Sequence, residues 1–86
     1  MEDLKQLRKR IDEIDDQILL ALSERAKTCR DIGSMKKQQG LPIKDENREN
    51  EVYQKIKAKA AKLMLDPVQV EAVYREIVNM CSSVQE

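Results

Sequence analysis

Two basic residues in the first half of the sequence are spaced so that they could act together. Arg25 and Lys36 are 11 residues apart, and at about 100° per residue of an α-helix they differ by only about 20° in azimuth. A guanidinium and an ammonium group on one helix face could bind the carboxylates of a small molecule. On a helix this rich in charge, the simpler interpretation is that both side chains are solvated.

Two further groups of polar residues have helical spacing. Asp45, Arg48 and Glu49 follow an i, i+3, i+4 pattern, and Cys81 and Gln85 follow i, i+4. Cations, carboxylates and a neutral amide on three elements could line a polar cavity inside a helical bundle. The alternatives are that Asp45 is an N-cap, and that Arg48 and Glu49 pair with Asp45 and with nothing else. Cys81 could likewise be a small core residue, and Gln85 could lie in a frayed helix end.

The composition argues against several classes of function. The sequence has no His, two Cys outside any CxxC motif, and two Gly, so we expect no catalytic His pair, no metal site and no glycine-rich phosphate loop. Its 16 basic residues balance 16 acidic ones, which is atypical of proteins that bind nucleic acids or membrane surfaces. The sequence shows no apolar run long enough to span a membrane and no signal peptide. We therefore expect a cytoplasmic protein in which Cys29 and Cys81 are free thiols.

The apolar periodicity predicts an all-α fold of three helices in a single domain over residues 1–86. The first helix is predicted over about 2–39, and it ends at the Gly40-Leu41-Pro42 stop signal. The second is predicted over about 45–63, and the third over about 67–85 after the Asp66-Pro67 start signal. The stripe on the first helix consists of Leu4, Leu7, Ile11, Ile14, Ile18 and Leu22.

The first helix is too long for a compact monomer. A helix of about 38 residues spans roughly 57 Å, whereas a globule of this size has a diameter of roughly 30 Å. Its overhanging half is amphipathic and needs cover, so we predict a homodimer in which the long helices pair. Arg8 lies 17 residues before Arg25, about 100° away from it in azimuth. It would serve the cavity of its own chain poorly, but in a dimer it could reach the cavity of the partner chain.

Four segments of the sequence closely resemble the all-helical, AroQ-type chorismate mutases. They are residues 7–15 (LRKRIDEID), 22–25 (LSER), 32–36 (IGSMK) and 42–49 (PIKDENRE). The last segment is similar to the family pattern P-[VI]-x-D-x-x-R-E, which is fairly specific. The resemblance covers essentially the whole sequence.

The resemblance implies a fold and a reaction. The fold is an intertwined homodimer with three helices per chain and two equivalent sites. The reaction is the Claisen rearrangement of chorismate to prephenate, on the route to phenylalanine and tyrosine, with no metal, cofactor or covalent intermediate.

The resemblance also implies the role of each site residue. Arg25 and the partner chain's Arg8 would hold the substrate carboxylates, and Lys36 and Gln85 would contact the ether oxygen. The catalytic residues would be Lys36, Gln85, Glu49 and Arg25. The substrate-binding residues would be Arg8, Arg25, Ile32, Lys36, Asp45, Arg48, Glu49, Cys81 and Gln85. The position of Cys81 is often Ser in the family, and a thiol is a weaker donor.

Two other functions remain as alternatives. An isochorismate–pyruvate lyase would use the same scaffold, carboxylate clamp and lysine. A non-catalytic dimerisation or adaptor module would instead leave Arg8, Arg25 and Lys36 facing solvent.

Overall fold

A computed structural model describes residues 3–86 and contains three α-helices and no strand over that range. The helices are α1 (Leu4–Gln39), α2 (Glu46–Lys62) and α3 (Pro67–Gln85). The all-helical, three-helix fold class is thereby confirmed. The first helix was predicted to begin near Glu2, which lies outside the described residues.

Local sequence signals explain where each helix begins and ends. The Asp3 carboxylate accepts a hydrogen bond from the Gln6 N–H at 2.9 Å, and the Gln6 side chain accepts one in return from the Asp3 N–H. Gly40 ends α1 in the left-handed conformation at φ 68°, which a residue without Cβ adopts at little cost. Asp45 caps α2, and Asp66 caps α3 ahead of Pro67.

The third helix holds the fold together. It packs against both α1 and α2, whereas within residues 3–86 no Cα atom of α1 lies within 8 Å of one in α2. The small core is formed by Cys29, Tyr53, Ala60 and Val78. A gap therefore remains between α1 and α2, and α3 forms its floor.

A charged cluster joins α2 to α3. The Glu71 carboxylate accepts from Lys57 at 2.9 Å and from Arg75 at 3.1 Å, and the Arg75 guanidinium lies 4.6 Å from the ring centre of Tyr53. Hydrogen bonds from Lys57 and then Arg75 hold the pKa of Glu71 below its ordinary value of 4.5.

The first half of α1 extends away from the other two helices. The protein measures 58 × 24 × 15 Å, and its radius of gyration is 16.1 Å, against about 12 Å for a compact chain of this length. Every residue from Asp3 to Ala21 is exposed. The predicted apolar stripe is therefore uncovered from Leu4 to Ile18 in a single chain, with Ile11 at 56% and Ile18 at 50% exposure, whereas Leu22 is half-buried.

Candidate functional site

The gap between α1 and α2 forms a cleft of about 420 Å³, which is in the size range of small-molecule sites. The second half of α1, the start of α2 and the end of α3 line it. The cleft brings together eight of the nine residues predicted for the site: Arg25, Ile32, Lys36, Asp45, Arg48, Glu49, Cys81 and Gln85. The ninth, Arg8, lies elsewhere.

Arg25 and Lys36 both project into the cleft from α1, as their spacing predicts. Both are half-buried, and neither has a carboxylate within 4.0 Å among residues 3–86. The Arg25 guanidinium donates a long hydrogen bond, 3.8 Å, to the sulfur of Cys29. Two partly desolvated cations with no carboxylate within 4.0 Å among the described residues form a site suited to anionic groups.

Lys36 links the end of α1 to the end of α3. Its ammonium group donates to the backbone carbonyl of Ile43 and to Oε1 of Gln85, the latter at 3.0 Å. Lys36 and Gln85 are 49 residues apart in sequence. The contact therefore depends entirely on the packing of α3 against α1.

Gln85 has a defined amide orientation. Its Oε1 accepts from Lys36, and its Nε2 donates to the sulfur of Cys81 at 3.2 Å. An amide nitrogen carries two hydrogens, so the second one is left for a ligand in the cleft. Gly33 permits this placement, because a Cβ at that position would lie 2.9 Å from Cγ and 3.0 Å from Cα of Gln85.

The carboxylates and Arg48 lie at the start of α2. Asp45 is an N-cap, since its side chain accepts from the Arg48 N–H at 3.0 Å, and it also lines the cleft. The Arg48 guanidinium pairs with Glu51 at 3.2 Å and not with Asp45. Glu49 is half-buried in the cleft wall and has no cation within 4.0 Å among residues 3–86.

The prediction that Cys29 and Cys81 are free thiols is wrong. The two residues form a disulfide across α1 and α3, with their Cα atoms 5.4 Å apart. Their separation of 52 residues hid this pairing, which arises because α1 and α3 run side by side. Cys81 does line the cleft, but a disulfide sulfur carries no hydrogen and can only accept. Cysteine usage therefore does not indicate a reducing cytoplasm.

Arg8 lies far from the cleft of its own chain. It is exposed on the first half of α1, about 25 Å along the helix from Arg25. Within one chain it therefore cannot contact a molecule bound beside Arg25 and Lys36.

Sequence reasoning missed several residues of the cleft wall. Thr28 and Ser82 contribute hydroxyl groups, and Ile43, Val52 and Val78 contribute apolar surface. Thr28 lies between Arg25 and Ile32 at i+3 spacing, and Ser82 precedes Gln85 by three residues, so helical periodicity could have indicated both.

Comparisons with known proteins show which family the chain resembles. Residues 7–86 match the family described as chorismate mutase type II. A bifunctional chorismate mutase/prephenate dehydratase of Aquifex aeolicus is 42% identical over 89 residues, covering 100% of this chain and 25% of its own length. A chorismate mutase of Methanocaldococcus jannaschii is 42% identical over 57 residues, covering 66% of this chain and 58% of its own length.

One solved structure is closely similar. A conserved hypothetical protein from Pyrococcus furiosus superposes with a TM-score of 0.78 at 35% identity, covering 96% of this chain and 95% of the other. In residues 3–86, no helix is both long enough and apolar enough to cross a membrane.

Proposed function

The chain belongs to the chorismate mutase type II family, and we propose that it catalyses the rearrangement of chorismate to prephenate in phenylalanine and tyrosine biosynthesis. The observation that carries the proposal is the cleft containing Arg25, Lys36 and Gln85. Two cations with no carboxylate within 4.0 Å in the described part of the chain face the same space as an amide with an available hydrogen. This arrangement matches a dianionic substrate whose ether oxygen gains negative charge during the reaction.

Carboxylate binding would supply orientation. Chorismate must fold into a compact, chair-like geometry before its two ends can react, and clamping both carboxylates favours that geometry. Arg25 is the carboxylate ligand within the chain, because its planar guanidinium can bind a carboxylate through two hydrogen bonds. The partner chain's Arg8 would hold the second carboxylate.

Hydrogen-bond donors at the ether oxygen would supply rate enhancement. Breaking of the C–O bond runs ahead of C–C bond formation, so negative charge accumulates on that oxygen in the transition state. Lys36 and Nε2 of Gln85 would bind this charge more strongly than they bind the neutral ether of the substrate. Glu49 and Asp45 would accept the ring hydroxyl group, Arg48 would order that end of the cleft, and Ile32 would form its wall. No proton is transferred, so the reaction needs no His.

We also propose that the active form is an intertwined homodimer with shared sites. The proposal is supported by the uncovered apolar stripe of α1 and by the distance of Arg8 from its own cleft. Each chain would cover the stripe of the other and would contribute Arg8 to the other's site. A single domain over residues 1–86 is part of the same proposal.

A cytoplasmic location remains a prediction. Disulfides are uncommon in the cytosolic proteins of mesophiles but frequent in the intracellular proteins of hyperthermophiles. Trapping the thiols of Cys29 and Cys81 in intact cells would measure their redox state directly.

The deciding experiment follows chorismate consumption by ultraviolet absorbance and identifies the product by chromatography. Wild-type protein is expected to form prephenate, and Lys36→Ala is expected to lower kcat by about 10²–10³-fold, as for loss of a transition-state donor. Lys37→Ala is the matched control, because that exposed lysine lies outside the cleft.

Other outcomes would contradict the proposal. Release of pyruvate from isochorismate would identify a lyase. Absence of turnover with either substrate, or equal activity of the Lys36 and Lys37 variants, would favour a non-catalytic helical module.

A further inference from the structure

The Cys29–Cys81 disulfide lies in the wall of the cleft, next to residues of the proposed site. Cys81 precedes Gln85 by one helical turn, and Cys29 follows Arg25 by one turn. Both sulfurs accept contacts from these residues, at 3.2 Å from Gln85 and at 3.8 Å from Arg25. The bond therefore touches two residues of the proposed substrate site.

The end of α3 needs such a constraint. Gln85 is the last residue of α3, and terminal helical turns open easily. The cross-link ties α3 to α1 one turn before Gln85, at the level where Gly33 lets the two backbones approach closely. It holds the Gln85 amide beside Lys36.

The disulfide also orients the amide of Gln85. Lys36 occupies Oε1, and the sulfur of Cys81 accepts one hydrogen of Nε2. Together these contacts oppose a 180° flip of the amide, which would turn Oε1 towards the sulfur and an N–H towards the Lys36 ammonium. The remaining N–H is thus held in the donor position that the proposed reaction requires.

We propose that Cys29 and Cys81 are positioning residues whose disulfide holds Gln85 in its donor orientation, so that the oxidised chain is the more active form. The inference rests on the proposed function. Because Gln85 would act on charge that develops in the transition state, opening the disulfide is expected to lower kcat and leave KM nearly unchanged.

The bond can be opened with a dithiol such as dithiothreitol. The dithiol transfers two electrons and two protons, the S–S bond breaks to give two thiols, and the dithiol closes to its own cyclic disulfide. The sequence contains only two cysteines, so the reagent acts at this one bond. We expect kcat to fall about tenfold, which is less than the 10²–10³-fold typical of losing such a donor outright. The variant Cys29→Ser, which cannot form the disulfide and keeps Cys81 as a thiol, is expected to match the reduced wild type and to be insensitive to the dithiol.

Comparing the effect of reduction on wild type and on Gln85→Ala distinguishes two roles of the disulfide. It could position Gln85, or it could stabilise the fold in general. If the disulfide acts through Gln85, reduction will lower kcat in the wild type but not in Gln85→Ala. An equal loss in both backgrounds would overturn the proposal. So would loss of far-ultraviolet circular dichroism on reduction, because the bond would then hold the whole fold rather than one side chain.

A readout without substrate completes the test. The side-chain amide resonances of Gln85, followed by NMR in the oxidised and reduced chains, are expected to show increased mobility after reduction. Unchanged resonances would overturn the positioning role even if the protein is an active mutase. Absence of chorismate turnover in the oxidised wild type would instead overturn the proposed function, so the two failures are distinguishable.

Discussion

At the scale of single residues, the neutral amide of Gln85 contacts two neighbours through its two polar atoms. Its oxygen accepts from Lys36 while its nitrogen faces the sulfur of Cys81. A carboxylate of the same shape could accept from Lys36 but would have no hydrogen to donate. Donor chemistry at this position thus depends on the side chain being uncharged.

Substitution Gln85→Glu is therefore expected to make activity depend on acid. The Lys36 ammonium beside the introduced carboxyl group favours its ionised form, so at neutral pH the site loses a donor and kcat falls by about 10²-fold. As the pH falls through the pKa of that group, its protonated form regains an O–H donor and kcat rises. Steady-state kinetics from pH 4 to pH 8 check this.

Gln85→Ala is the control for that experiment, because it removes the donor without adding a titratable group. Its kcat is expected to be low with no rise towards acid. A flat profile for Gln85→Glu would contradict a donor role for Gln85.

At the scale of elements, the packing of α3 on α1 decides whether the site exists. Gly33 is buried at this contact, and its missing Cβ makes room for both the side chain and the backbone of Gln85. Within a helix a glycine normally costs about 1 kcal/mol relative to alanine. The close approach of α3 explains why a glycine is nevertheless suited to this position.

Substitution Gly33→Ala is expected to lower activity and to give no gain in stability. The gain of about 1 kcal/mol in helix propensity is opposed by about 1–3 kcal/mol of overpacking against Gln85. Thermal unfolding and kcat measure the two effects. Ser34→Ala is the matched control, since Ser34 is exposed on the same helix. A clearly stabilised and fully active Gly33→Ala would contradict the close approach.

The junction of α2 and α3 carries a pH-dependent contribution to stability. The pKa of Glu71 is lowered below its ordinary value of 4.5, chiefly by the hydrogen bond from Lys57. A lowered folded-state pKa means that this contribution is present above about pH 4.5 and is lost as the pH falls through the folded-state value. The free energy of unfolding of wild type is thus expected to exceed that of Glu71→Gln at pH 7, and the difference should shrink in acid.

Urea unfolding of both proteins between pH 2.5 and pH 7 measures that difference. Glu76→Gln is the control, because Glu76 is exposed on α3 with no cation within 4.0 Å among residues 3–86. A constant difference for Glu71→Gln across the range would rule out the ion pair as its cause.

At the scale of the whole molecule, the elongated shape and the uncovered apolar stripe both come from the first half of α1. The first half of α1 is exposed from Asp3 to Ala21, and it carries Leu7, Ile11, Ile14 and Ile18 on its surface. An apolar surface of this extent is typical of an interface between chains. Shared sites would make the two copies functionally dependent on each other.

Mixing two inactive variants tests shared sites. Arg8→Ala and Lys36→Ala are each expected to be nearly inactive alone. After unfolding and joint refolding, a mixed dimer would contain one intact site, formed by Lys36 of one chain and Arg8 of the other. Random pairing is expected to restore about a quarter of wild-type activity. Absence of recovery, with mixed dimers verified by mass, would contradict shared sites.

The sequence by itself determined the features that depend on local interactions. Apolar periodicity predicted three helices, and the signals at Gly40, Asp45 and Asp66 marked ends that the structure also uses. Arg25 and Lys36 could be placed on one face because helical geometry is regular. The resemblance to a known family then implied that Asp45, Glu49 and Gln85 belong to the same site.

Only the tertiary structure decided the features that depend on contacts between separate helices. The disulfide joins positions 52 residues apart, and the Lys36–Gln85 hydrogen bond spans 49 residues. The amide orientation of Gln85 and the close approach at Gly33 follow from the same packing of α3 on α1. Periodicity specifies which face of a helix is apolar, but it does not specify the register in which two faces pack. That register decides which side chains meet, and so it had to come from the fold.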